Sequence, residues 1–453
     1  MKELSRHICI FFLAILGVCG FTSCVYDYYD DEEDPDVSLG TEYADRAFLA
    51  LHVSPVDTRG ATSGNVTERI KTLRVIVLNN KDGKDSVEYN KLISLGDLGF
   101  TPSYFTYDMM LPTIPGNKRL YFIANEESVG SFMMDTNSSS SGELSAWLDS
   151  FQPKSADETF DQTAKNFENT INSMYFAPQY IANDGHIFLP YTSYYGNLNV
   201  DKGKVKEVTA YLVPVATKFT FKFINNRTYG VGVNEISLSK KNRDNFLFAH
   251  VGSSDSCKIF VDDKSYYWVD WLAKVAEESH NHQSSVGDNE LFNSKYGWIK
   301  DYSMPTTDYE DAKFLESLGS VTVSGKGDEG SPDYSETPGT LELGPFYVPE
   351  SRYEIPFTDE SGQTVTEQSY GLTLGLEDTK PDGKPAPTFE NVTIDNLKAL
   401  FRNTSVVITI VMSEGTIDAY AEINPWTQKT ANGWVVEGEE PANNPYAPKE
   451  NNQ

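Results

Sequence analysis

Ala47 to Val53 reads AFLALHV, and its strict alternation limits the folds open to this chain more than any other stretch does. Ala47, Leu49, Leu51 and Val53 fall on one side of a period-two element and Phe48, Ala50 and His52 on the other. The stretch is therefore predicted to be a strand with at least one buried face, which requires a sheet to receive it. Pro55 ends it, because proline cannot donate to a ladder. Val56 to Asn65 are small, polar and punctuated by Gly60 and Gly64, a composition that predicts a loop open to proteolysis. Arg59 is the only cation in that loop.

Similar short runs recur along the chain. Strands are predicted at Ile70 to Leu78, Arg119 to Asn125, Thr340 to Val348, Tyr370 to Leu376, Ser405 to Met412, Thr416 to Ile423 and Gly433 to Glu437. Val205 to Phe223 holds two more, separated at Pro214, the second alternating Thr217, Phe219, Phe221 and Phe223 against Lys218, Thr220 and Lys222. Turns are expected at Asn79 to Lys84, Glu414-Gly415 and Asn432-Gly433. Helices are accessory: two short ones between Gly142 and Asn172, one over Val269 to Ser279 and one over Asp308 to Leu318. With 26 Tyr and 25 Phe and few Leu/Ala/Glu/Lys runs, the chain reads as mainly β, and many short strands with turn signals predict sandwiches. A length of 453 residues allows two such domains, 60–212 and 213–453, the second opening near Pro214. No internal sequence repeat accompanies them.

The N-terminus reads as an address, occupying residues 1–23. Lys2 and Arg6 precede the apolar run Ile8 to Val18, which is too short to span a bilayer and fits a secretory signal. Thr22-Ser23-Cys24 then matches a lipobox, in which the Cys24 thiol receives the lipid; an ordinary signal peptide cut at another small residue is the alternative. Asp27 to Asp36 holds seven acids and no base, so residues 24–59 are predicted to be a solvated tether followed by the strand described above. Once Cys9 and Cys19 leave with the signal and Cys24 is lipidated, Cys257 has no partner, which excludes a disulfide framework. A net charge of −29 argues against nucleic acid.

Chemistry-bearing constellations are weak. His280 and His282, with Glu277 or Glu278, are one candidate metal set, but a pair two residues apart at a polar helix end reads more simply as a solvated loop. Tyr266, Tyr267, Trp268 and Trp271 form either a sugar platform or, more simply, core packing of a strand entering a helix. No phosphate loop, dinucleotide fingerprint, nucleophile elbow or zinc-protease motif is present, so no catalytic residue, metal or cofactor is assigned.

Taken together, these residues resemble the FimA-like subunits of type V pili. The matching pieces are Phe21 to Cys24, Phe48 to Val53, Thr58-Arg59-Gly60, Ile70 to Val77, Leu120 to Asn125, Phe346 to Glu350, Arg402 to Ile410 and Ile423 to Trp426. The resemblance implies two transthyretin-like β-sandwich domains, export as an outer-membrane lipoprotein through Cys24, and maturation by an arginine-specific or trypsin-like protease between Arg59 and Gly60. Such a cut leaves 453 − 59 = 394 residues. Arg46 is a competing basic site that would release no strand. The propeptide strand, with Phe48, Leu49, Leu51 and Val53, is then replaced by a strand from another copy or a related pilin, a form of β-augmentation. Donor candidates are Ile417, Ala419, Ala421 and Ile423 on one face of Thr416 to Ile423, and Trp434 and Val436 in Gly433 to Glu437. Burying Leu49, Leu51 and Val53 at about 1.5–3 kcal/mol each amounts to roughly 5–9 kcal/mol, so loss of the strand leaves a groove and unpaired edges that invite another. A lipid-retained anchor or tip subunit and a surface glycan-binding lipoprotein are the alternative readings.

Overall fold

The computed structural model describes residues 47–425 apart from 56–65, 134–142, 154–166, 179–187, 249–257, 268–308, 379–386 and several breaks of one to five residues. The chain is mainly β, in two sandwiches. The first uses β1 (Ala47–Pro55), β2 (Thr72–Lys81), β3 (Lys84–Ser94), β4 (Tyr107–Thr113), β5 (Gly116–Ala124), β6 (Tyr175–Phe176), β7 (Tyr191–Val200) and β8 (Val205–Pro214). Seven of these follow the path β3-β2-β5-β7-β8-β1-β4. β8 meets β7 only at Tyr191↔Pro214 and Thr192↔Val213, so the path turns a corner there. One layer is β3-β2-β5-β7, the other β8-β1-β4, and Leu49, Leu51 and Val53 share a core with Val75, Tyr121 and Phe122.

The second sandwich contains β9 (Thr217–Asn225), β10 (Val231–Asn242), β11 (Asn245–Phe246), β12 (Lys258–Val261), β13 (Lys264–Tyr267), β14 (Tyr309–Lys313), β15 (Val321–Val323), β16 (Gly339–Val348), β17 (Ile355–Thr358), β18 (Thr364–Glu367), β19 (Tyr370–Asp378), β20 (Pro387–Ile394), β21 (Thr404–Ser413) and β22 (Thr416–Pro425). Its layers are β16-β9-β21-β22 and β14-β10-β19-β20, with β15 also on β10. Phe219, Phe221 and Phe223 are buried in its core as the alternation requires, Phe219 against Phe314 and Phe221 against Phe314 and Phe346. The short pairs β12–β13 and β17–β18 stand outside these layers, and β11 pairs β6 of the first half.

The two halves repeat one plan. β1 lies antiparallel to β4 and parallel to β8, and β9 lies antiparallel to β16 and parallel to β21. The opposite layers match as well: β2 pairs β3 and β5, and β5 pairs β7, just as β10 pairs β14 and β19, and β19 pairs β20. β1 and β9 even share one sequence of buried, half-buried and exposed positions over nine residues. Among the described residues, β22 alone of the strands in the main layers has no counterpart in the first half.

Three features differ from expectation. Asp308 to Leu318 is not a helix: Tyr309–Lys313 is strand β14, because the free edge of β10 takes it up at Ser237↔Lys313 and Leu238↔Ala312, burying Ala312. The turn after β2 is tighter than Asn79 to Lys84, since pairing continues to Lys81↔Lys84. Between Gly142 and Asn172 only α1 (Leu144–Asp149) is a continuous helix among the described residues. It is tied to β2 by Arg74, whose guanidinium binds Glu126 at 2.6 and 2.7 Å and Asp149 at 2.8 Å. Burial disfavours that charge, but the two carboxylates outweigh it and hold the Arg74 pKa above its ordinary value. The expected helix over Val269 to Ser279 and strand over Gly433 to Glu437 lie outside the described residues.

Polar bonds join the halves. Glu68, just before β2, accepts from Lys218 Nζ of β9 at 2.7 Å and from Tyr347 Oη of β16 at 2.7 Å, while its backbone carbonyl accepts from Tyr191 Oη at 2.9 Å. Burial, then the Glu68 charge, raises the pKa of both tyrosines. Arg402, fully buried, donates to Glu350 Oε2 at 2.5 Å and to the carbonyls of Phe246 and Leu247 at 2.7 and 3.0 Å.

Candidate functional site

The predicted propeptide strand is an interior strand. β1 pairs with β8 from Phe48↔Val205 to Pro55↔Leu212 and with β4 from Ala47↔Thr113 to Val53↔Tyr107, so both of its edges are occupied. Among the described residues β4 has no other strand partner. Taking β1 away would thus open a slot, expose the edge of β8 and leave β4 unattached.

Side chains divide as the period predicts. Ala47, Leu49, Leu51 and Val53 are at most 2% exposed and lie in the first core. Phe48 and Ala50 are half-buried on the outer face. His52 is exposed and pairs through Nδ1 with Asp108 Oδ1 of β4 at 2.5 Å, an exposed cross-strand contact worth at most about 1 kcal/mol. Pro55 still lies opposite Leu212, so the strand runs two residues past the predicted end at Val53.

Arg59 and Gly60 lie outside the described residues, as do Cys24, the His280/His282 pair, Trp268, Trp271, Trp434 and Val436. Tyr266 and Tyr267 fall on β13. Val66–Glu68 is a turn of 3-10 helix. Leu189 N donates to Thr67 O at 2.7 Å, and the Asn125 amide bonds Lys71 N, Arg69 O and Leu189 O at 2.7–2.8 Å.

The donor candidates Ile417, Ala419 and Ala421 lie on β22, ten residues of which pair with β21 from Thr404↔Pro425 to Ser413↔Thr416. Ala421 is buried and Ile417 and Ala419 pack on the second core; Ile423 is on the same strand. Sequence reasoning did not anticipate β4, the second wall of the slot. Its signal was the alternation of Tyr107, Met109, Leu111 and Thr113 with Asp108, Met110 and Pro112, blurred by exposed Met110.

Among the described residues no group of His, Cys, Asp and Glu is placed to hold a metal, and no helix is long and apolar enough to cross a membrane. No family model matches this sequence, and no curated protein does. Solved structures do. The chain is similar to the tip fimbrial protein Mfa3 from Porphyromonas gingivalis with C-terminal truncation, at 12% identity and TM-score 0.43, over 84% of this chain and 100% of that one. It is similar to a fimbrial assembly protein from Parabacteroides distasonis at 12% identity and TM-score 0.36, over 83% and 95%. It is also similar to the fimbrial anchor protein Mfa2 from Porphyromonas gingivalis, at 11% identity and TM-score 0.28, over 84% of this chain and 100% of that one.

Proposed function

We propose that the chain is an exported subunit of an adhesive surface fibre, anchored as a precursor through lipid on Cys24 and matured by cleavage after Arg59. The observation that carries this reading is the position of β1: an interior strand, buried along one face, that precedes the predicted Arg59-bearing loop in sequence. A cut in that loop leaves β1 held only by non-covalent contacts, and its departure opens a slot between β8 and β4 that another subunit's strand can enter by β-augmentation. The gain is the burial and the two ladders that β1 now supplies.

The test is Arg59→Ala together with N-terminal sequencing of protein recovered from the cell surface. The native chain is expected to begin at Gly60, and the variant to remain lipidated, unassembled and intact at residue 47. Fibres of normal length from Arg59→Ala would refute the scheme. A native N-terminus at Cys24 within assembled fibres would instead assign the lipid-retained anchor role.

A further inference from the structure

We propose that the β1 slot accepts a strand from a different protein and not the β22 segment of a second copy, so that this chain does not polymerise with itself through that slot. The partner strand carries two adjacent inward Leu- or Ile-sized side chains, with a small residue on one flank and a Val-sized one on the other. This rests on the reading that β1 is released.

The slot is shaped by what fills it. Ala47, Leu49, Leu51 and Val53 point inward in succession and are sealed from solvent, so the places they vacate are small, large, large and medium. Interiors are close-packed, and both a void and an overfilled place are penalised. β22 presents Ile417, Ala419 and Ala421 to its own core, and Ile423 continues the alternation. Laid in the slot, that order puts alanine at both Leu places. Reversal changes nothing, because Ile-Ala-Ala-Ile reads the same both ways. Sliding by two residues brings Ile423 to one Leu place but Pro425 to the next, and sliding the other way brings Gly415 into the slot behind Ile417. No register supplies both large side chains. Turning β22 over would bury Asp418 and Glu422.

Residues 426–453 do no better: they contain no Leu, Ile, Met or Phe, and laid in the slot their alternating apolar pair, Trp434 and Val436, would force an indole into a Leu place. β22 is also engaged at home, with Ala421 buried and ten residue pairs to β21.

The repeat also argues against the place in the first half that corresponds to β22, the outer edge of β8. Aligned through β1 and β9, Val208, Ala210 and Leu212 of β8 stand where Ile408, Ile410 and Met412 of β21 stand, and β22 covers that flank of β21. Val406, buried opposite Ile423, is matched in β8 by Lys206, which is exposed. A lysine there blunts the outer edge of β8 against strand addition.

The full chain, cut once with an arginine-specific protease after Arg59 and checked by mass, is titrated with three labelled peptides. These are residues 47–55, residues 416–425, and residues 416–425 carrying Ala419→Leu and Ala421→Leu. Retention is read by native mass spectrometry and fluorescence anisotropy. Two Leu-to-Ala truncations at about 2 kcal/mol each predict that the 416–425 peptide binds about 10³-fold more weakly than the 47–55 peptide, and that the doubly substituted peptide recovers at least about 30-fold. Binding of the 416–425 peptide within tenfold of the 47–55 peptide overturns the inference while leaving strand release standing. Failure of the cut chain to take up even the 47–55 peptide overturns strand release and this inference with it.

Discussion

Leu51→Ala tests directly whether β1 is an interior strand. Leu51 is 2% exposed, centred in the strand, with Val208 opposite on β8 and Met109 opposite on β4. Truncation removes the transfer free energy of the lost carbons and leaves a cavity that two paired neighbours hold open, for a cost of about 2–5 kcal/mol. With a urea slope of about 1–3 kcal/mol/M, a loss near 3 kcal/mol lowers the midpoint by roughly 1–3 M. His52→Ala, one residue away on the outer face, removes only an exposed pair and is expected to cost under about 1 kcal/mol. Because two cores unfold separately in principle, the assay is hydrogen exchange followed by peptide mass spectrometry through the urea series. Leu51→Ala is expected to raise exchange in Tyr107–Thr113 and Val205–Pro214 together, since among the described residues β4 and β8 are joined only through β1, while Thr217–Asn225 is unchanged. A loss below 1 kcal/mol, or equal losses from both variants, would refute the slot as described.

Arg402→Met leaves Glu350 buried without its cation and is expected to cost about 3–5 kcal/mol in thermal unfolding, with the pairing Arg402→Met/Glu350→Gln recovering part of it. Asn125→Ala removes an amide that satisfies Lys71 N, Arg69 O and Leu189 O and whose backbone sits at φ 56°; calorimetry should show a loss of about 2–4 kcal/mol. Tyr191 and Tyr347 keep their protons in the folded chain after the unfolded chain begins to release them near pH 10, so the unfolded form binds fewer protons and stability falls as pH rises past 10. Tyr347→Phe is expected to reduce that alkaline slope, and an unchanged slope between pH 9 and 11 would count against the Glu68 cluster as its source.

β1 and β9 were legible because nothing interrupts their period of two. β10 was not, although Val231 and Val233, then Ile236 and Leu238, are all buried: an irregularity between Val233 and Glu235 moves the inward positions from one parity to the other. β14 was misread because YEDAK buries only Ala312, and an edge strand takes its identity from the strand beside it. The repeat left no trace in sequence, since its shared property is topology: Ala, Leu, Leu and Val in β1 occupy the places held by Thr, Phe, Phe and Phe in β9. Glu68 and Arg402 could not be assigned by pattern alone, because their partners lie 279 and 52 residues away.

The parallel pairing at the centre of each sandwich also governs the order in which the chain can fold. Phe48 meets Val205, 205 − 48 = 157 residues later, and Thr217 meets Thr404, 404 − 217 = 187 residues later. A chain that crosses a membrane N-terminus first therefore presents β1 long before either of its walls exists, and the first sandwich closes only when β8 has followed. Contacts of such long range form late and slowly. During that interval the most apolar strand at the front of the chain is open to any strand it meets. Seven acids between Asp27 and Asp36 precede it in the sequence, and like charges of that density disfavour close approach of neighbouring unfinished chains.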